Sequence, residues 1–231
     1  MLERLDFDDR LALAKALAGA IAADINAAIA EAGSAVIAVS GGTTPAKFFG
    51  QLGKHKDIDW DKVTVTLVDE RWVDETSDRS NANLVNEKML QGPAAVAHFI
   101  PLYAGGDEPT PAAVTRTGKA IKALPHPFAA IVLGMGNDGH TASFFPGGDT
   151  LAEALTSEGP ALAIRAPGAG EPRITLTLKT LMQTRRLYLH IEGEEKAATL
   201  ERALGDGPVE DMPIRAFLRE NAMPLTVYWA P

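Results

Sequence analysis

Three stretches of this chain, SAVIAVS (34–40), VTVTLVD (63–69) and FAAIVLG (128–134), are nearly unbroken runs of small and β-branched apolar residues. A strand with one wet face alternates apolar and polar side chains, whereas a run without polar gaps has no wet face. Strands of that kind need cover on both sides, and helical patterns separate them. Leu13, Leu17, Ile21, Ile25 and Ile29 draw one apolar stripe along 8–32, with Gly33 as its stop. TPAKFFGQL (44–52) reads as a second helix, with Thr44 capping it and Pro45 in its first turn. Further helices are expected at about 80–90, 111–123 and 194–204. Further strands are expected in HFIPL (98–102), ALAIRAP, RITLTL, RLYLHIEG and PLTVYWA. This alternation predicts an α/β fold built on a mainly parallel sheet.

In such sheets ligands bind outside the carboxyl ends of the strands. The three apolar runs end in SGGTTP, DERWV and GMGNDGH, all polar, glycine-rich or charged. In SGGTTP, Gly41 and Gly42 let an anion approach the backbone while Thr43 and Thr44 add hydroxyls. A tight turn with a capping threonine explains the same residues. In DERWV, Asp69 and Arg71 fall on one face and Glu70 and Trp72 on the other, and the Arg71 fork suits phosphate or carboxylate. A surface ion pair is the plainer account. Arg79 in DRSN (78–81) pairs with Asp78 or reaches a ligand, and Ser80 or Asn81 caps the helix that follows.

The third end, GMGNDG, has the spacing of a dinucleotide-binding loop. That loop must open a long helix, but Pro146-Gly147 cuts off the HTASFF turn, which is expected to be briefly helical. The cofactor reading is therefore rejected. Instead the glycines, Gly136 among them, hold Asp138 and His140 at the strand exit. A neutral imidazole there can take a proton from water. His55, His98, His126 and His190 have no comparable setting. No G-x-S-x-G elbow, HExxH or ligand-spaced carboxylate cluster occurs, which speaks against a serine nucleophile and against a metal. Arg173, opening RITLTL, and Lys196, in GEEK, are either solvated charges or cations for the same site.

The bulk numbers agree with a small-molecule site. The 231 residues fit one large domain or two small ones, and no linker, repeat or low-complexity tract divides them. A net charge of −8 argues against nucleic acid or an anionic membrane as partner. The absence of cysteine excludes disulfides and thiolate chemistry and suits a cytoplasmic setting. The charged start MLERLDFDDR is not a signal peptide, and no apolar run of about 18 residues for a membrane span is expected.

Taken together, SGGTTP, VDERWV with DRSN, LGMGNDGHTASFFPG, RITLTL and GEEK resemble the 6-phosphogluconolactonase family, related to glucosamine-6-phosphate deaminase and isomerase. The match runs from about 34 to 200, and the arginine and tryptophan of DERWV favour the lactonase branch. The resemblance implies a three-layer Rossmann-like fold with helices on both faces and no nucleotide, formed as a single domain over 1–231. It implies cofactor- and metal-independent hydrolysis of a phosphosugar lactone, 6-phospho-D-glucono-1,5-lactone, by a monomer or weak homo-oligomer. It makes His140 the general base and lays the phosphate against Gly41, Gly42, Thr43 and Thr44, with Arg173 and Lys196 as cationic partners. Asp69, Arg71 and Asp138 would line the sugar end or orient the base. The chain departs from the pattern at Asp74, where a proline is expected.

Overall fold

The apolar runs do form buried strands. In the computed structural model, which describes residues 2–220 and 223–231, they become β2 (Ala35–Val39), β3 (Val63–Leu67) and β6 (Ala130–Leu133). Every residue of β2 and β6 is buried. Around them lie β1 (Glu3–Asp6), β5 (His98–Ile100), β9 (Leu187–Glu192) and β10 (Leu225–Ala230). The seven form one sheet in the order β1-β10-β9-β6-β2-β3-β5, every pair parallel. Strand order reverses between β2 and β6, so the chain leaves their carboxyl ends in opposite directions and opens a crevice there.

Helix α1 (Arg10–Ala32) starts where the Asp9 carboxylate accepts from the N–H groups of Leu11 and Ala12, and stops at Gly33 with φ of 80°. Leu13, Leu17, Ile21 and Ile25 are wholly buried; Ile29, at the end of the stripe, is only half-buried. Against expectation, α1 is long and apolar enough by composition to cross a membrane. Its buried stripe packs on β2, β6 and β10 instead. It lies beside α2 (Ala46–Leu52), which touches α3 (Asn81–Lys88). Helix α4 (Pro111–Lys122) packs against the strand Ala161–Ile164, and α7 (Glu194–Leu204) follows β9 and packs against it. Three short helices, α5 (Leu151–Thr156), α6 (Leu178–Leu181) and α8 (Arg215–Leu218), were not expected from the sequence.

Other local expectations fail for physical reasons. VTVTLVD is not one strand. At Val68 the chain leaves the large sheet and continues as β4 (Asp69–Arg71) in a second, antiparallel sheet with β8 (Arg173–Leu176) and β7 (Ala161–Ile164). Val68 belongs to both, donating to Val39 O and accepting from Leu176 N. Thr44 does not cap α2; Pro45 occupies that position and no side chain caps it. HTASFF is not helical: Thr141 and Phe144 bridge across a tight turn in which Ala142 has φ of 48°. β1 escapes sequence reading because ERLD, an edge strand that among the described residues pairs with β10 alone, has no apolar run.

Candidate active site

The crevice is a cavity of about 330 Å³ at the strand ends. Of the residues expected there, Gly41, Gly42, Thr43, Thr44, Asp69, Arg71, Gly136, His140, Arg173 and Lys196 line it. Two do not. Asp138 stands behind His140, and Arg79 is bound to Glu171 on the neighbouring loop, with Nη2 2.8 Å from Oε2. The expected Asp78–Arg79 pair does not form.

The first wall is the exit of β6. His140 Nδ1 lies 2.6 Å from Asp138 Oδ1, and the same oxygen accepts from the His140 backbone N–H. A Cβ on Gly136 would sit 2.1 Å from His140 Nδ1 and 2.5 Å from Asp138 Oδ1, so only glycine leaves room for the pair. The imidazole lies over Phe145 with ring centroids 4.2 Å apart. From behind, α7 ties the loop down: Arg202 Nη2 donates to Asn137 O at 3.1 Å. Partial burial works against the Asp138 charge, but the hydrogen bond and charge of His140 outweigh it and bring the carboxyl down to about 2. The Asp138 carboxylate is therefore ionised near neutral pH and, as an acceptor only, takes its hydrogen bond from a proton on His140 Nδ1.

The second wall is β4 with β8. Its anchor is Glu70, which the sequence reading passed over. Wholly buried, it accepts from the backbone N–H groups of Arg71, Asn81 and Ala82 and from the Ser80 hydroxyl, at 2.8 to 3.0 Å. Burial nevertheless raises its carboxyl above the usual range. Asp69, on the opposite strand face, accepts from Ser143 Oγ at 2.5 Å and lies 3.8 Å from Arg173 Nη1. Arg71 donates to Arg79 O and to Asn81 Oδ1. Gly41 makes this possible: a Cβ there would collide with the Asn81 amide at 2.0 Å. Ser80, as expected, caps α3 through Asn83 N.

Arg71 and Arg173 stand directly opposite in the β4–β8 register. Their Nε atoms are the buried side-chain polar atoms without a hydrogen-bond partner among the described residues. Two cationic forks held side by side with spare donors are a costly arrangement unless anionic groups of a ligand satisfy them. Burial lowers the Arg173 guanidinium from its ordinary value, with Asp69 opposing the shift. Burial likewise lowers the Lys196 ammonium, against the charges of Asp138 and Glu195. Along 41–44 no backbone N–H donates to a protein acceptor among the described residues, so this loop too has donors to offer. No three His, Asp or Glu side chains converge as a metal site would need, again among the described residues.

Over residues 8–229 the sequence matches the family described as glucosamine-6-phosphate isomerases/6-phosphogluconolactonase. This chain belongs to that family. Within it, a 6-phosphogluconolactonase of Rhizobium meliloti is 49% identical over 227 residues, 97% of each chain. One of Mesorhizobium japonicum is 51% identical over 229 residues, 97% of this chain and 94% of the other. The crystal structure of a 6-phosphogluconolactonase from Shewanella baltica OS155 superimposes with a TM-score of 0.97 at 38% identity, over 100% of this chain and 98% of that one. The fold is therefore shared with that structure over the whole of this chain.

Proposed function

We propose that the chain hydrolyses 6-phospho-D-glucono-1,5-lactone to 6-phosphogluconate in the oxidative pentose phosphate pathway, with His140 as the general base. Its relatives' shared name supports the substrate. The observation that carries the mechanism is the 2.6 Å contact between Asp138 Oδ1 and His140 Nδ1. With a proton held on Nδ1, the neutral form of the ring offers Nε2 as the base, and the ring lines the cavity. Nε2 takes a proton from a water as its oxygen attacks C1 of the lactone. The C1 oxygen becomes an oxyanion. When that intermediate collapses, the C1–O5 bond breaks and the ring oxygen receives the proton from His140. A lactone is an activated ester, so no covalent nucleophile is needed.

Arg71 is the donor for the oxyanion. The glycine N–H groups of the 134–139 loop are spent: Gly134 on Ser40 Oγ, Gly136 on His140 O, Gly139 on Gly136 O. Arg71 keeps a free Nε in a buried place, where a preorganised donor is worth most. Arg173, Lys196 and the 41–44 loop hold the phosphate, which supplies binding energy remote from the reacting carbon. Asp69 keeps Arg173 and Ser143 in place. Arg79, clamped on Glu171, shapes the rim rather than touching the sugar.

The test is proton release from freshly generated 6-phosphogluconolactone in weak buffer, with spontaneous hydrolysis subtracted. Fast release that EDTA does not slow, lost in His140→Ala, is expected. Release at wild-type speed in that variant would remove His140 from the mechanism, and no release by the wild-type protein would remove the activity.

A further inference from the structure

A second histidine lines the same cavity. His190 on β9 is 3% exposed, and its Nε2 lies 3.2 Å from Glu192 Oε1 on the same strand face. Its ring stands edge-on to Phe48 of α2. The Glu192 side chain is only 8% exposed, and its other oxygen lies 3.4 Å from Arg10 Nε. Nδ1 of His190 makes no hydrogen bond to the protein among the described residues. Packing alone does not call for a histidine here: an apolar ring would fill the space beside Phe48 without burying a carboxylate to match it.

We propose that His190 binds the substrate's phosphate, Nδ1 addressing a phosphate oxygen while Glu192 holds Nε2. The proposal rests on the reading of the 41–44 and Lys196 side of the cavity as the phosphate end; His190 lines the same cavity, its ring stands against Phe48 of the helix that follows 41–44, and its strand leads into α7, which carries Lys196. An ionised Glu192 can only accept, so it keeps a proton on Nε2. A neutral ring then offers Nδ1 as a lone pair, and a doubly protonated ring offers a donor. Contact with a phosphomonoester therefore includes one shared proton, carried by the ring or by the phosphate. The groups facing this pair are Glu192 on β9, Arg10 on α1, Lys196 on α7 and Tyr228, opposite His190 in the β10 register.

Two substitutions separate binding from packing. H190F keeps the ring and loses both nitrogens. H190N loses the ring but places an amide where Nδ1 was. Calorimetry with 6-phosphogluconate gives Kd, and lactone hydrolysis gives KM and kcat. We expect H190F to weaken Kd and raise KM by about ten- to hundredfold, the range for hydrogen bonds to charged groups, with kcat within about twofold of wild type. H190N should recover most of that loss despite a lower Tm. The reverse order, H190F binding as wild type and H190N weakly, would make His190 a packing residue and overturn the proposal. Lys196→Gln is the control on the underlying reading: if it weakens binding and H190F does not, only the role of His190 falls. If neither weakens it, the phosphate lies elsewhere and both fall. Should H190F fail to fold, Glu192→Gln replaces it; a several-fold rise in Kd is expected, and an unchanged Kd would overturn the proposal.

Discussion

The two walls of the cavity carry the same kinds of group in opposite conditions. On the β6 side, Asp138 and His140 are 48% and 30% exposed at the side chain and joined by a single ring contact. On the β4 side, Glu70 is wholly buried and holds four donors, and Asp69 is pinned by Ser143. A group that must gain and lose a proton needs access to water and few competing bonds. A group that must hold a backbone in place needs the reverse. The difference separates a wall whose proposed work is done by a histidine that a carboxylate orients from a wall whose carboxylates hold the backbone and side chains in place, and it makes distinct forecasts for each wall.

The largest effect belongs to the first wall. His140→Ala should lower kcat by about 10²–10⁴-fold while the affinity for 6-phosphogluconate stays near wild type, measured by proton release and calorimetry. Arg71→Gln should lower kcat by about 10²-fold or more through loss of the oxyanion donor. Glu70→Gln should act on stability instead. The amide would turn an N–H pair toward two donors that now share one oxygen, costing about 3 kcal/mol, or roughly 6–12 °C in Tm. A Glu70→Gln protein with wild-type Tm would erase the contrast between the walls.

Smaller effects sharpen the comparison. The Asp138 carboxyl falls from 3.8 to about 2 in the folded protein. A depressed folded pKa contributes stability that is fully present above the unfolded value and lost as pH falls through the folded one. The stability gap between wild type and Asp138→Asn should therefore be constant above about pH 5 and close between about pH 4 and 2, followed by urea melts. Its size is modest because the carboxylate is half-exposed. The smallest effect is at the rim. Glu171→Gln frees Arg79 from an exposed pair and should change KM no more than about threefold.

The sequence displays what burial writes into composition. β2, β3 and β6 are legible because both faces are dry, and His140 is legible because glycines and Asp138 crowd around it at a strand exit. What depends on distant partners is not. Nothing in VTVTLVD marks Val68 as the point where the chain changes sheets, since that break is set by Leu176, far along the sequence. Glu70 reads as a surface charge until Asn81 and Ala82 fold onto it. His190 hides in RLYLHIEG as a strand residue; the available signal was Glu192, two positions on and on the same face. Thr44 misleads because a threonine before a proline looks like a cap when the cavity uses it instead.

The pairing of β1 with β10 also has a consequence in time. Glu3 meets Thr226, and among the described residues β10 is the only strand β1 pairs with. During synthesis α1 is made early, with its apolar stripe and none of β2, β6 or β10 yet there to cover it. The sheet cannot close its β1 edge until almost the whole chain has been made. In a nascent chain α2, β2 and β6 can cover α1 as they are made, but the part of its apolar stripe that meets β10 stays open until β10 is made, and shielding that part is a task for the cell before it is one for the fold.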